Sequence, residues 1–123
     1  MRYTLMLHEN EAEHNNPTEE EMGEILAAYG AYVDELRAAG VFVDTDWLQP
    51  STTATVISLK DGAERVQDGP YVDSKEQIGG YFVLEVANLD DALAWAKKCP
   101  AAQTGFIEIR PSAMPPENQD RHG

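Results

Sequence analysis

Three groups of side chains in this sequence have the types and spacing for chemistry. The first is Asp68-Gly69-Pro70-Tyr71, followed closely by Lys75 and Glu76. Asp accepts local amide bonds, Gly tolerates positive φ, and Pro sets the next φ. The stretch therefore reads either as plain turn architecture or as a rigid loop. As a rigid loop it holds Asp68 and Tyr71 at the mouth of a cleft, with Lys75 and Glu76 either nearby or simply solvated. The second group centres on Tyr29, read as core packing or as a weak acid and hydrogen-bond donor facing that cleft. Gly23 and Gly30 flank it on one helix stripe, which reads as close packing on a sheet or as room for a ligand. The third group is the run His8-Glu9-Asn10-Glu11-Ala12-Glu13-His14, which has metal-ligand types but no H-E-x-x-H or other helical spacing. No metal is expected there. Cys99 follows a helix C-terminus, where the dipole raises a thiol pKa, so it is a poor nucleophile. Gly79-Gly80 matches neither a dinucleotide-binding nor a P-loop pattern and reads as a bulge or close strand approach. No cofactor is implied.

The chain has 123 residues, with 9 Lys+Arg against 22 Asp+Glu, a net charge of −13. Phosphate binding needs a basic footprint, so nucleic acid is excluded as the expected partner, and anionic membranes are disfavoured. A single cysteine allows no internal disulfide. Met1 to Leu7 shows no signal-peptide pattern, and no apolar run approaches the ~20 residues of a membrane span. A cytoplasmic protein is expected. One domain is expected over residues 1–111, with a flexible tail over 112–123 that includes His122.

The elements that must position these residues follow from periodicity. Arg2 to His8 alternates as a half-buried strand. Thr18 and Glu21 form a capping-box pattern ahead of Met22, Ile25, Leu26, Tyr29, Val33 and Leu36, with Gly40 as the left-handed stop. That helix spans about 20 residues, roughly 30 Å. Val41–Leu48 and Thr53–Lys60 read as strands, and Asp61-Gly62 as a two-residue hairpin turn into Ala63–Gln67. Val72–Gln77 reads as a charged connection and Tyr81–Val86 as a strand. Asn88 or Asp90 caps a helix over Asp91–Lys98, with Leu89, Leu93, Trp95 and Ala96 apolar, ended by Pro100. Gly105–Arg110 is the last strand. Trp47 and Trp95 read as core or rim packing.

This order predicts an α+β fold: a ferredoxin-like βαββαβ sandwich with an inserted β-hairpin. Tyr3, Leu5, Leu7, Phe82, Leu84, Val86, Ile107 and Ile109 share the face that the helices should cover. The opposite face carries Met6, Tyr81, Val83, Glu85, Phe106, Glu108 and Arg110. Apolar area of that extent marks an interface, so a homodimer through this face is expected. The ionisable residues among them read as the lining of a partly buried cavity, as paired salt bridges, or as simply solvated strand ends at Glu85, Glu108 and Arg110.

The stretch Asp68 to Phe82 strongly resembles the signature of YCII-related proteins of the DGPF type, with Tyr71 in place of the usual phenylalanine. Ala38-Ala39-Gly40-Val41, Leu48-Gln49-Pro50, Leu89 to Ala96 and Glu108-Ile109-Arg110-Pro111 look like their counterparts in the same order, so the resemblance spans about residues 1 to 112. It implies a dimeric α+β barrel of ferredoxin-like halves. Some relatives look like cofactor-free enzymes, including a dehydrochlorinase with a His on the first helix and an Asp before the Pro that ends the second. The corresponding positions here are Tyr29 and Cys99, so that activity is not expected. The resemblance itself assigns no activity to this branch. The rigid loop, Tyr29 and the two-glycine stripe lead to an expectation of small-molecule binding in a cleft between the first helix, the Asp68–Tyr71 loop and the sheet, with Tyr81 among its walls and weak cofactor-free catalysis as an option. The alternative is a protein-interaction module in sigma-factor or stress regulation, since genes of this type often neighbour those for sigma factors.

Overall fold

The computed structural model describes residues 1–13, 16–72 and 74–114. His14, His122 and residues 115–123 of the expected tail lie outside them. The chain runs β1 (Arg2–Asn10), α1 (Glu19–Ala38), β2 (Phe42–Trp47), β3 (Thr55–Ser58), β4 (Arg65–Asp68), β5 (Glu76–Glu85), α2 (Leu89–Lys98), α3 (Ala101–Thr104) and β6 (Phe106–Pro111). This is an α+β architecture. The capping box forms: Thr18 Oγ1 accepts from the Glu21 N–H, and Glu21 Oε1 accepts from the Thr18 N–H, each at 3.1 Å. Gly40 ends α1 at φ +73°, and the Val41 N–H turns back to the Leu36 carbonyl at 3.1 Å.

Four strands form one antiparallel sheet in the order β2-β5-β1-β6, while β3 and β4 pair only with each other. Tyr3, Leu5, Leu7, Phe82, Leu84 and Val86 are buried on one face, with Ile107 and Ile109 packed beside them. Period-two alternation placed these residues on one side, and the helices cover that side.

The helices themselves sit differently from the expectation. Tyr32 is buried in place of Leu26, which is exposed, so the core stripe of α1 runs Met22, Ile25, Tyr29, Tyr32, Val33 and Leu36. In α2 the buried residues are Ala92 and Ala96, while Leu89 and Leu93 stay largely outside. Two alanines at i and i+4 let one helix backbone lie close to its neighbours, which turns the leucine stripe outward. Gly23 and Gly30 are exposed, and a Cβ at either would meet open space, so they do not mediate close packing. Pro100 caps α3 rather than only ending α2.

β5 begins at Glu76, not at Tyr81, because β1 continues to Asn10 and offers it a partner. A register shift opposite Leu7/His8 leaves Gly79 as the extra residue of a bulge. At Gly80 a Cβ would stand 2.7 Å from the Asp46 carbonyl oxygen, so the close strand approach requires glycine. The β3–β4 connection is longer than a two-residue turn. Asp61 (φ +62°) and Gly62 (φ +76°) still take the left-handed conformations expected of them. The segment after β6 starts tied down, since the Ser112 N–H donates to the Arg2 carbonyl at 2.8 Å.

Candidate functional site

On the helix side of the sheet, Tyr29 is half-buried, with its ring parallel to Phe82 at a centroid distance of 6.4 Å. Burial pushes its phenol above the ordinary range, and the nearby Cys99 and Glu9 push it the same way. Cys99 is fully buried at the end of α2, and burial pushes its thiol up to about 11. Both groups are therefore neutral at neutral pH. The two positions at which the resemblance implies a His and an Asp in a dehydrochlorinase thus hold a protonated phenol and a protonated thiol here. Tyr32 completes the cluster: its hydroxyl donates to the Trp95 carbonyl at 2.8 Å, and its ring meets Phe82 edge-on at 5.1 Å. Sequence reasoning missed Tyr32, although its spacing from Tyr29 and Leu36 places it on their face.

The signature loop is a different place. Asp68 ends β4, Gly69 has φ +96° and donates its N–H to the Ala54 carbonyl at 2.7 Å, and Pro70 follows half-buried. Tyr71 is 83% exposed. Gln67 Nε2 donates to the Pro70 carbonyl at 3.3 Å, and Gln77 Nε2 donates to the carbonyls of Val72 (2.7 Å) and Ser74 (3.1 Å). Side-chain amides thus hold the backbone of the loop on both sides.

Beyond it lies an open groove of about 430 Å³ lined by Asn10, Glu11, Ala12, Ser51, Thr52, Ser74 and Lys75. Its wall is built by Glu11, whose carboxylate accepts from both the N–H (2.8 Å) and the hydroxyl (2.7 Å) of Ser51. That pair of hydrogen bonds pins the turn after β2 to the end of β1. Asn10 Oδ1 accepts from the Ala12 N–H at 3.1 Å, and Thr52 and Lys75 are further lining residues. Glu76 starts β5 opposite Asn10 at the groove's edge.

The structure therefore divides the expected cleft residues. Lys75 lines the groove, and Glu76 adjoins it. Asp68, Gly69, Pro70 and Tyr71 form the base of the β3–β4 hairpin. Tyr29 lies under α1, and Tyr81 projects from the other face of the sheet. There the Tyr81 hydroxyl donates to Asp44 Oδ2 at 3.1 Å, and this bond to a carboxylate raises its pKa.

That second face is open in the chain. Met6 and Val83 are half-exposed at its centre, and Phe106 is 50% exposed. Phe106 stacks on His8 with centroids 4.7 Å apart. His8 Nε2 meets Glu108 Oε1 at 3.0 Å, and Arg110 Nε meets Glu108 Oε2 at 2.8 Å. Arg110, then His8, holds the Glu108 carboxyl below its ordinary value. Glu85 pairs with the N-terminal ammonium and, at 3.6 Å, with Arg2. Glu85, Glu108 and Arg110 thus make ion pairs within the chain while remaining exposed to solvent.

No described helix is long and apolar enough to cross a membrane. An uncharacterized protein of Rhizobium meliloti (strain 1021) is 29% identical over 116 residues, covering 93% of this chain and 94% of that protein. The YCII-related domain family matches residues 1–112, nearly the whole described chain and every element above. The protein belongs to the YCII-related domain family.

Proposed function

We propose that this protein is a homodimeric binder of a small polar molecule, held in the groove beside the signature loop. The observation that carries the reading is the convergence of Lys75, Ser74, Thr52, Ser51 and Asn10 on one concave surface whose backbone is already fixed by Glu11 and Gln77. A small number of placed polar groups on a largely pre-formed surface is the usual form of a small-molecule site. Lys75 supplies a cation in an otherwise acidic chain, which favours a ligand carrying a carboxylate or similar anionic group. The reading extends to two ferredoxin-like halves facing each other through their open sheet faces. The strand order β2-β5-β1-β6 and the apolar centre of that face support it. It places the protein in the cytoplasm, where the lone thiol Cys99 stays reduced.

The test is native mass spectrometry of freshly purified protein, followed by release and identification of bound metabolites. A stoichiometric adduct that disappears in Lys75→Ala supports the reading. An adduct that persists in Lys75→Ala places the ligand elsewhere.

A further inference from the structure

Row by row, the helix-covered face of the sheet changes character toward one end. Phe82 lies between Leu5 and Thr45, and the Tyr29 ring lies parallel to it from α1. The next row is Leu7, Gly80 and Trp47, and its central position carries no side chain. His8 turns to the open face, where it stacks on Phe106, so Leu7 and Glu9 flank it on the helix face. The half-buried Glu9 side chain lies over the Gly79 bulge, and a Cβ at Gly79 would collide with its carboxylate. Two adjacent glycines thus leave the sheet bare beside Glu9. Trp47, 58% exposed, stands at the edge of the same row.

The Glu9 carboxylate accepts no hydrogen bond and joins no ion pair among the described residues. The Tyr29 hydroxyl likewise has no hydrogen-bond partner among them. Glu9 is close enough to act electrostatically on the Tyr29 phenol, and no cation among the described residues offsets it. A half-buried carboxylate without a donor is costly, and a cation placed beside it offsets that cost. One carboxylate and one phenol are too few oxygen ligands for calcium or magnesium. An organic cation needs fewer, and its carbon body can cover bare backbone and an aromatic ring.

We infer that Glu9 and Tyr29 form a second binding site, which takes an organic ammonium. Its N–H groups donate to the Glu9 carboxylate and the Tyr29 hydroxyl oxygen, and its apolar body lies on Gly80 beside Trp47. The net charge of −13 draws such cations toward the chain. The inference does not rest on the groove, where Lys75 selects the opposite charge.

The experiment is a heteronuclear NMR titration of the full chain with benzylamine, benzyl alcohol and benzoate, read at the Gly79 and Gly80 amides and the Trp47 indole. Saturable shifts at these positions are expected with benzylamine, in the millimolar range, and none with the alcohol or the acid. Glu9→Gln is expected to weaken benzylamine binding about tenfold or more, as the loss of a charged hydrogen bond does, with Tm little changed. Tyr29→Phe gives a smaller loss, and Lys75→Ala gives none. No saturable shift with benzylamine overturns the site. Equal shifts with benzyl alcohol overturn it as well, since they show apolar contact without recognition of charge. So does benzylamine affinity that is unchanged in Glu9→Gln, or that is lost in Lys75→Ala. Should Glu9→Gln fail to fold, the contrast between benzylamine and benzyl alcohol on the unmodified chain decides by itself.

Discussion

His8 and Glu108 meet diagonally across β1 and β6: Nε2 lies 3.0 Å from Oε1, although the register sets Met6 opposite Glu108 and Phe106 opposite His8. Arg110 takes the other oxygen of the same carboxylate. One side chain thereby links the row at the centre of the open face to the rows on either side of it. The depressed Glu108 pKa makes its charged form the one the fold favours. Such a group contributes stability above its unfolded value of about 4.3, and the contribution is lost as pH falls through the lower folded value. Glu108→Gln is expected to lower Tm at neutral pH, and the difference from the unmodified chain is expected to close as pH falls through the lowered folded value. Circular dichroism melts across that range check it, and an offset that persists unchanged in acid contradicts it.

Tyr32→Phe removes the donor to the Trp95 carbonyl while keeping the edge-on ring contact with Phe82. A loss of about 1–2 kcal/mol is expected in urea unfolding, with the denaturant slope unchanged. No loss would mean that the carbonyl finds another partner.

Cys99 is expected to react slowly with iodoacetamide in the folded chain and quickly in denaturant, because its thiol is buried and pushed up to about 11. A thiol raised in the fold favours the protonated native state. Its contribution is therefore full below the unfolded value of about 8.5 and is lost as pH rises through the folded value. Cys99→Ala should flatten that alkaline decline. Labelling as fast in the folded as in the unfolded chain would show that the end of α2 opens readily.

At the signature loop, Gly69→Ala and Asp68→Asn separate architecture from recognition. Gly69 at φ +96° has no comfortable alanine counterpart, so a loss of roughly 1 kcal/mol or more is expected in thermal or urea unfolding. Asp68 sits exposed at the end of β4, and its neutral isostere should leave Tm nearly unchanged. If its charge contacts a ligand, binding falls by about 1.5–3 kcal/mol. Equal thermal losses from both variants, with binding unaffected, would make the loop purely structural.

Val83→Lys places a charge at the centre of the open face and is expected to convert a particle of twice 13.6 kDa into one of that mass at micromolar concentration. Light scattering reads the change directly. A single-chain mass for the unmodified protein would already contradict it.

Sequence alone determined what depends on neighbours along the chain. The Thr18–Glu21 capping box, the Gly40 stop and the alternation of Tyr3, Leu5 and Leu7 are all local geometry. So are the paired left-handed residues Asp61 and Gly62, because such conformations are set within a few residues of themselves. Tertiary structure decided which of two adjacent helix stripes meets the sheet. Tyr32 displaced Leu26, and Ala92 joined the expected Ala96 in the core while Leu89 and Leu93 stayed outside, since the fit of side-chain volume between layers is a property of both layers. It also decided which chemical groups share a site. Tyr29 and Tyr81 both have the right chemistry, but opposite faces of one sheet keep them apart. Glu11, Ser51 and Lys75, distant in sequence, line one groove because β1 runs on to Asn10 and β5 starts early enough to meet it.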